Sequence, residues 1–225
     1  MRVRSDQKNL FVELGVVTLG LVIISRILFS LRSIPFINEW LSTFIAVLFL
    51  YVPILVLWKQ RRPIDFLDRS ARDTLRGLAA FAVTSLLIFP LFFLVAMGWQ
   101  KWVVGLDAFH LPLFPGFLSA VAYQVLLVAL PEEFYFRGYF QSTLNRVFEK
   151  RWNIFGVSLG WSWIVTALVF AFAHSAITFR WWHFSIFFPA LVFGYLRERT
   201  GSITAPILFH AASNLFMEWF VRGYL

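Results

Sequence analysis

The chain has 225 residues, of which 60% are hydrophobic and 20% aromatic, with no cysteine and a net charge of +8. Soluble domains average about 45–50% apolar residues, so the composition excludes an ordinary soluble fold and gives an integral membrane protein, with 28 Phe and 10 Trp suited to lipid-facing surface and interfacial belts. Without cysteine there is no disulfide, zinc-thiolate site or thiol nucleophile, and the positive charge reads as loop Lys and Arg facing membrane lipid rather than as a nucleic-acid surface.

At about 20 residues per span, the length fits one all-α domain over residues 1–225, a polytopic transmembrane helical bundle of about seven spans, with six to eight as the range. A short basic segment, residues 1–9, precedes an apolar run at 10–29 that is too long for a signal-peptide core and lacks a small-residue cleavage site. It is expected to be a retained first span. The second is expected at 41–58, kinked by Pro53. Residues 59–76 are dense in Arg and Asp and read as a loop plus a surface helix with its basic face on headgroups. The third span is expected at 77–99 and a loop at 101–115. The fourth begins near Phe117, contains Pro131 and ends in the basic stretch 146–151. The fifth apolar stretch runs from about 154 to 177, the sixth from 181 to 196 and the last from 203 to 221. The motif-bearing core is therefore 117–221.

The loop charges orient this arrangement. With seven spans and the N-terminus inside, Arg2, Arg4, Lys8, Lys59, Arg61, Arg62, Arg69, Arg72, Arg76, Arg146, Lys150, Arg151, Arg197 and Arg199 all lie inside. Outside lie only Arg32, Lys101, Arg180 and Arg222, with Arg26 near that face. The positive-inside rule favours this orientation, which puts the N-terminus in the cytoplasm. The short chain without extra domains looks like a protein of the bacterial cytoplasmic membrane.

Few strong polar groups remain inside spans: Glu132, Glu133 and Arg137 on the fourth, His174 on the fifth, His210 and Asn214 on the seventh. A charge at the centre of a membrane helix costs about 2.5–3.5 kcal/mol on insertion scales, so three within six positions need partners and mark a functional site. Glu133 and Arg137 are spaced i, i+4 and can pair on one face. Glu132 is rotated about 100° away and is free to face a cavity beside Pro131, whose missing hydrogen bond opens the helix. His210 and Asn214, again i, i+4, present two donors along one face. Each feature also has a plain reading: the Glu133–Arg137 pair as a structural ion pair, His174 and His210 as packing residues. His110 and His183, beside loop aromatics, read as interfacial. Glu13, Glu39 and Glu218 sit near span ends and are expected to reach headgroup water. Glu132 fits the plain account worst.

Three motifs then stand in order on successive membrane helices. Glu132-Glu133-Phe-Tyr-Phe-Arg137 has the form EExxxR, Phe170-Ala-Phe-Ala-His174 the form FxxxH, and His210-Ala-Ala-Ser-Asn214 the form HxxxN. Over about 120–214 the sequence resembles the CPBP family, the CAAX prenyl endopeptidase and bacteriocin-processing (abortive-infection) group. Arg137-Gly138 and Arg199-Thr200-Gly201-Ser202 are similar to that family as well. The resemblance implies a glutamate-dependent intramembrane endopeptidase acting on membrane-anchored proteins or peptides. By motif, Glu132 would be the general base, His174 would hold and polarise water, and His210 and Asn214 would form the oxyanion hole. Glu133 and Arg137 would support the site or orient substrate. The resemblance favours a metal-free mechanism with no cofactor. One Glu and two His could also hold zinc with an open fourth position (Glu132, His174, His210), although no HExxH helix is present. A membrane scaffold, immunity factor or small transporter would use the same polar core without catalysis; a transporter would show inverted repeats, and none is seen. Among the family's substrate classes, a C-terminal sorting tag is attractive, being itself a membrane helix with a basic end; a leader peptide is the other. At 1.5 Å per residue, His174 meets Glu132 and His210 at one depth only if the fifth span starts late, near Trp161, with 154–160 in the interface.

Overall fold

The computed structural model describes residues 2–148 and 151–224, without the side chains of residues 2–6 and Trp181. The charges of Arg2, Arg4 and Lys150 counted above lie outside what is described. Seven helices run in chain order: α1 (Arg2–Ser30), α2 (Pro35–Lys59), α3 (Ala71–Val104), α4 (Phe117–Asn145), α5 (Trp161–Thr178), α6 (Phe187–Thr200) and α7 (Thr204–Arg222). The first five are long and apolar enough to cross a membrane. Helix α6 has only 14 residues, about 21 Å of helix, and α7 is diluted by His210, Asn214 and Glu218. The sequence reading expects about seven spans; among the described residues seven helices are present, and five of them qualify as spans by length and composition.

Three stretches depart from the sequence reading. Residues 59–70 contain no surface helix; Ala71–Arg76 are the first turns of α3, capped by Ser70, whose hydroxyl accepts from Asp73 N. The connection before them is a wedge. Phe66 is almost fully buried, packs edge-on against Phe134, and lies so close to Gly138 that a Cβ there would meet its ring at 2.4 Å. Ile203 N donates to Phe66 O, and Thr204 Oγ1 donates to Asp68 Oδ2, so this connection holds the start of α7. Residues 151–160 form a β-hairpin, β1 (Arg151–Ile154) paired antiparallel with β2 (Val157–Gly160). Its two-residue turn, Phe155-Gly156, has positive φ at both positions, the geometry that matches the strands' twist. Finally, residues 181–186, read as the start of a span, are a 3-10 turn before α6.

The hairpin explains why α5 begins at Trp161: the late start needed to bring His174 level with the other motifs is what the chain adopts. Helix α5 packs on α1 and α6, α6 on α7, and α7 on α3 and on the first half of α4. Glu13, expected at headgroup water, is also engaged within the fold. It pairs with Arg62 at 3.1 Å and accepts a hydrogen bond from Tyr139 Oη at 2.6 Å, tying α1 to the 59–70 connection and to α4.

Helix α4 is the irregular element. Short α-helical stretches alternate with two π-helical ones, Gln124–Ala129 and Phe134–Gln141. They bracket Leu130-Pro131-Glu132-Glu133. Proline has no N–H and crowds the carbonyl four residues back. The wider π turns accommodate both demands, and such turns recur at functional sites.

Candidate active site

The three motif helices bring their polar groups to one place. Glu133 and Arg137, each 0% exposed, form the expected pair, with Arg137 Nη1 donating to Glu133 Oε1 at 2.8 Å. A lone pair of this kind would be costly to bury, and the surroundings supply further partners. Arg137 Nη2 donates to Ala190 O on α6 at 3.1 Å, and the guanidinium lies 4.4 Å from the Phe170 ring and 4.9 Å from that of Phe193. These aromatic faces stabilise the cation in a site that excludes water.

Glu133 has a second partner that sequence spacing did not reveal. His210 Nδ1 donates to the same Oε1 at 2.8 Å. A carboxylate can only accept, so the proton on this ring is assigned to Nδ1. The ring is stacked on Phe193 with centroids 4.8 Å apart. Glu133 thus joins α4 to α7 as well as holding Arg137.

Glu132 points elsewhere, as its 100° offset implies. Its side chain is 16% exposed, and its Oε2 is buried without a hydrogen bond among the described residues. Oε2 lies 3.6 Å from His174 Nε2 and 3.8 Å from His210 Nε2. Both distances exceed a direct hydrogen bond and suit a shared small polar atom between the groups. His174 Nδ1 bonds to Phe170 O at 2.9 Å; a carbonyl only accepts, so here too Nδ1 carries the hydrogen. Both rings are therefore anchored through Nδ1 and turn Nε2 toward Glu132.

Asn214 does not contact Glu132. Its Nδ2 donates to Gln124 Oε1 at 2.9 Å. Gln124 lies at the start of the first π turn and was not among the expected site residues. The available signal was an amide alone in the apolar run 117–131. His183 sits at the rim: Thr178 Oγ1 donates to His174 O and bonds His183 Nδ1. Burial, with His174 nearby, holds the His183 imidazole below its usual range. His110 is remote, its backbone N bonded to Gly223 O.

Two nitrogens and a carboxylate are chemically a zinc donor set, with Nδ1 partners of the kind that orient metal ligands. Among the described residues, however, no group of three His, Asp or Glu side chains is arranged to hold a metal ion.

Residues 112–216 match the family described as Type II CAAX prenyl endopeptidase Rce1-like. The match spans all three motifs and Gln124. No curated protein and no solved structure matches the chain significantly. The convergence of EExxxR, FxxxH and HxxxN between α4, α5 and α7, together with this match, places residues 112–216 in the Rce1-like type II CAAX prenyl endopeptidase family, a family of peptidases.

Proposed function

We propose that the chain is an intramembrane endopeptidase in which Glu132 activates water against a peptide bond of a membrane-anchored protein or peptide. The observation that carries this reading is the unpartnered Glu132 Oε2 between two anchored imidazoles at 3.6 and 3.8 Å. A water donating one hydrogen to Glu132 and the other to His174 Nε2 turns its oxygen lone pair toward the scissile carbonyl. Glu132 takes the proton as the oxygen attacks. The oxyanion is met by Asn214 Nδ2–H and, when its ring carries a second proton, by His210 Nε2–H. Collapse breaks the C–N bond, and Glu132 returns the proton to the departing amine. General-base assistance contributes roughly 10²–10⁴ in rate, and one oxyanion donor about 10²–10³.

In this reading Glu133 and Arg137 are positioning residues: Glu133 fixes His210, and Arg137 neutralises Glu133. Gln124 fixes the amide of Asn214. The mechanism uses no cofactor. Zinc held by Glu132, His174 and His210 is the second reading, supported by the donor chemistry. For substrate we favour a C-terminal sorting tag, a membrane helix with a basic end, over a leader peptide; the basic end suits a site in which Glu132 is the carboxylate that Arg137 does not neutralise.

The test uses purified full-length protein in bilayers with a tagged membrane-anchored substrate. Wild type is expected to cleave, while Glu132→Gln and His174→Ala are expected to fold and not cleave. Cleavage by both variants at the wild-type rate would refute the mechanism. Cleavage lost in chelator and restored by zinc would transfer the site to the metal reading.

A further inference from the structure

A groove of about 1100 Å³ runs between α3, the hairpin and α6, away from the carboxylate site. Arg76, Arg151 and Arg199 are among its lining residues, and Arg76 near the start of α3 and Arg199 near the end of α6 make one end of it a basic lip. The walls beyond are apolar, with Val83 and Leu87 on α3 facing Leu191 and Val192 on α6. Glu198 is the acidic residue of its lining, and that carboxylate is already committed. It accepts from Gln141 and Asn145 through Oε1 and meets Arg151 through Oε2 at 3.5 Å. Arg76 and Arg199 are exposed and form no ion pair among the described residues. The basic lip therefore keeps a net positive charge.

The dimensions identify the occupant. From Arg76 to Leu87, α3 rises about 16 Å at 1.5 Å per residue. Half of a hydrocarbon core of about 30 Å is about 15 Å, so the apolar part is as deep as one leaflet. A cationic lip over an apolar slot one leaflet deep complements an anionic phospholipid, with its phosphate at the arginines and an acyl chain between α3 and α6.

We infer that this groove is a binding site for a single anionic phospholipid, with the phosphate held by Arg76 and Arg199. The seat braces α6 at the turn where Trp163 Nε1 donates to Leu191 O and Ala190 O receives Arg137. Lipid in the groove thus supports the helix that anchors the buried guanidinium.

The experiment places the full-length protein in nanodiscs of equal phosphatidylglycerol and phosphatidylcholine and counts co-retained lipid by native mass spectrometry. Wild type is expected to retain phosphatidylglycerol preferentially. Each arginine near a phosphate is worth about fivefold in affinity, so Arg76→Gln with Arg199→Gln is expected to weaken retention about thirtyfold. Val83→Trp, filling the slot with the charges intact, is expected to displace the lipid as well. The control Arg69→Gln with Arg72→Gln, removing basic residues at and just before the start of α3 that do not line the groove, is expected to retain lipid as wild type does. Equal retention of both lipids by wild type would overturn the proposal. So would undiminished phosphatidylglycerol in the Arg76/Arg199 variant, or equal loss in the control.

Discussion

Replacing Glu133 separates what holds the site together from what makes it work. Glu133 Oε1 receives both Arg137 Nη1 and His210 Nδ1 at 2.8 Å, with no exposure of either partner of the ion pair. Glu133→Leu leaves a buried guanidinium without its counter-ion, which costs about 3–5 kcal/mol. Adding Arg137→Met removes the stranded charge, and apolar replacement of a whole buried pair is often close to neutral. The double variant should therefore recover most of the loss. What remains is an unpaired His210 Nδ1, about 1–3 kcal/mol at most, since Ala190 O lies within α6 and keeps its intrahelical hydrogen bond. Activity should not recover, because His210 has lost the carboxylate that fixes its ring; a misplacement of about 1 Å can cost about 10²-fold. Thermal unfolding in detergent measures the first quantity and cleavage of an anchored substrate the second. If cleavage returns together with stability in the double variant, Glu133 acts only as a counter-ion and its role in positioning His210 is refuted.

Glu132→Gln is expected to lower the cleavage rate by about 10²–10⁴ with an unchanged unfolding temperature, since among the described residues its Oε2 makes no hydrogen bond to lose; a large stability loss would mean the residue is structural. Gln124→Leu should lower kcat with little change in KM, because it frees the Asn214 amide without touching bound substrate, and Asn214→Ala should lower kcat further, by about 10²–10³. Equal rates for wild type and Gln124→Leu would remove Gln124 from the site. Gly138→Ala should destabilise the fold by about 1–3 kcal/mol through overpacking, as its Cβ would meet the Phe66 ring at 2.4 Å; pairing it with Phe66→Leu should restore the unfolding temperature. Cleavage should persist after exhaustive chelation, measured against a zinc-supplemented control.

What the sequence made legible was local. The Glu133–Arg137 pair follows from i, i+4 spacing, and the divergence of Glu132 from the rotation per residue. The Trp161 start of α5 followed from requiring His174 to share a depth with Glu132 and His210. The His210–Glu133 bond was not legible, because it depends on how α7 rolls against α4, which no spacing within one helix encodes. Gln124 was missed because the π turn between it and Glu132 changes which residues share a face. The hairpin was missed because its alternation, Trp152-Asn153-Ile154 and Val157-Ser158-Leu159, covers three residues per strand within an otherwise apolar stretch. Phe66 looked like part of a charged loop, and only its packing against Gly138 shows it to be a core residue.

The burial of Arg137 also imposes a schedule on synthesis. Glu132, Glu133 and Arg137 together would cost roughly 9 kcal/mol in lipid if unpartnered. Their outside partners, Ala190 and His210, come 53 and 77 residues later than Arg137 and Glu133 respectively. At about 5–20 residues per second, translation delivers His210 about 4–15 s after Glu133. During that interval α4, at mean hydropathy 1.4 against 2.1–2.5 for the three helices before it, has the Glu133–Arg137 pair within its own length. This helix therefore waits for partners that the chain supplies only with α6 and α7.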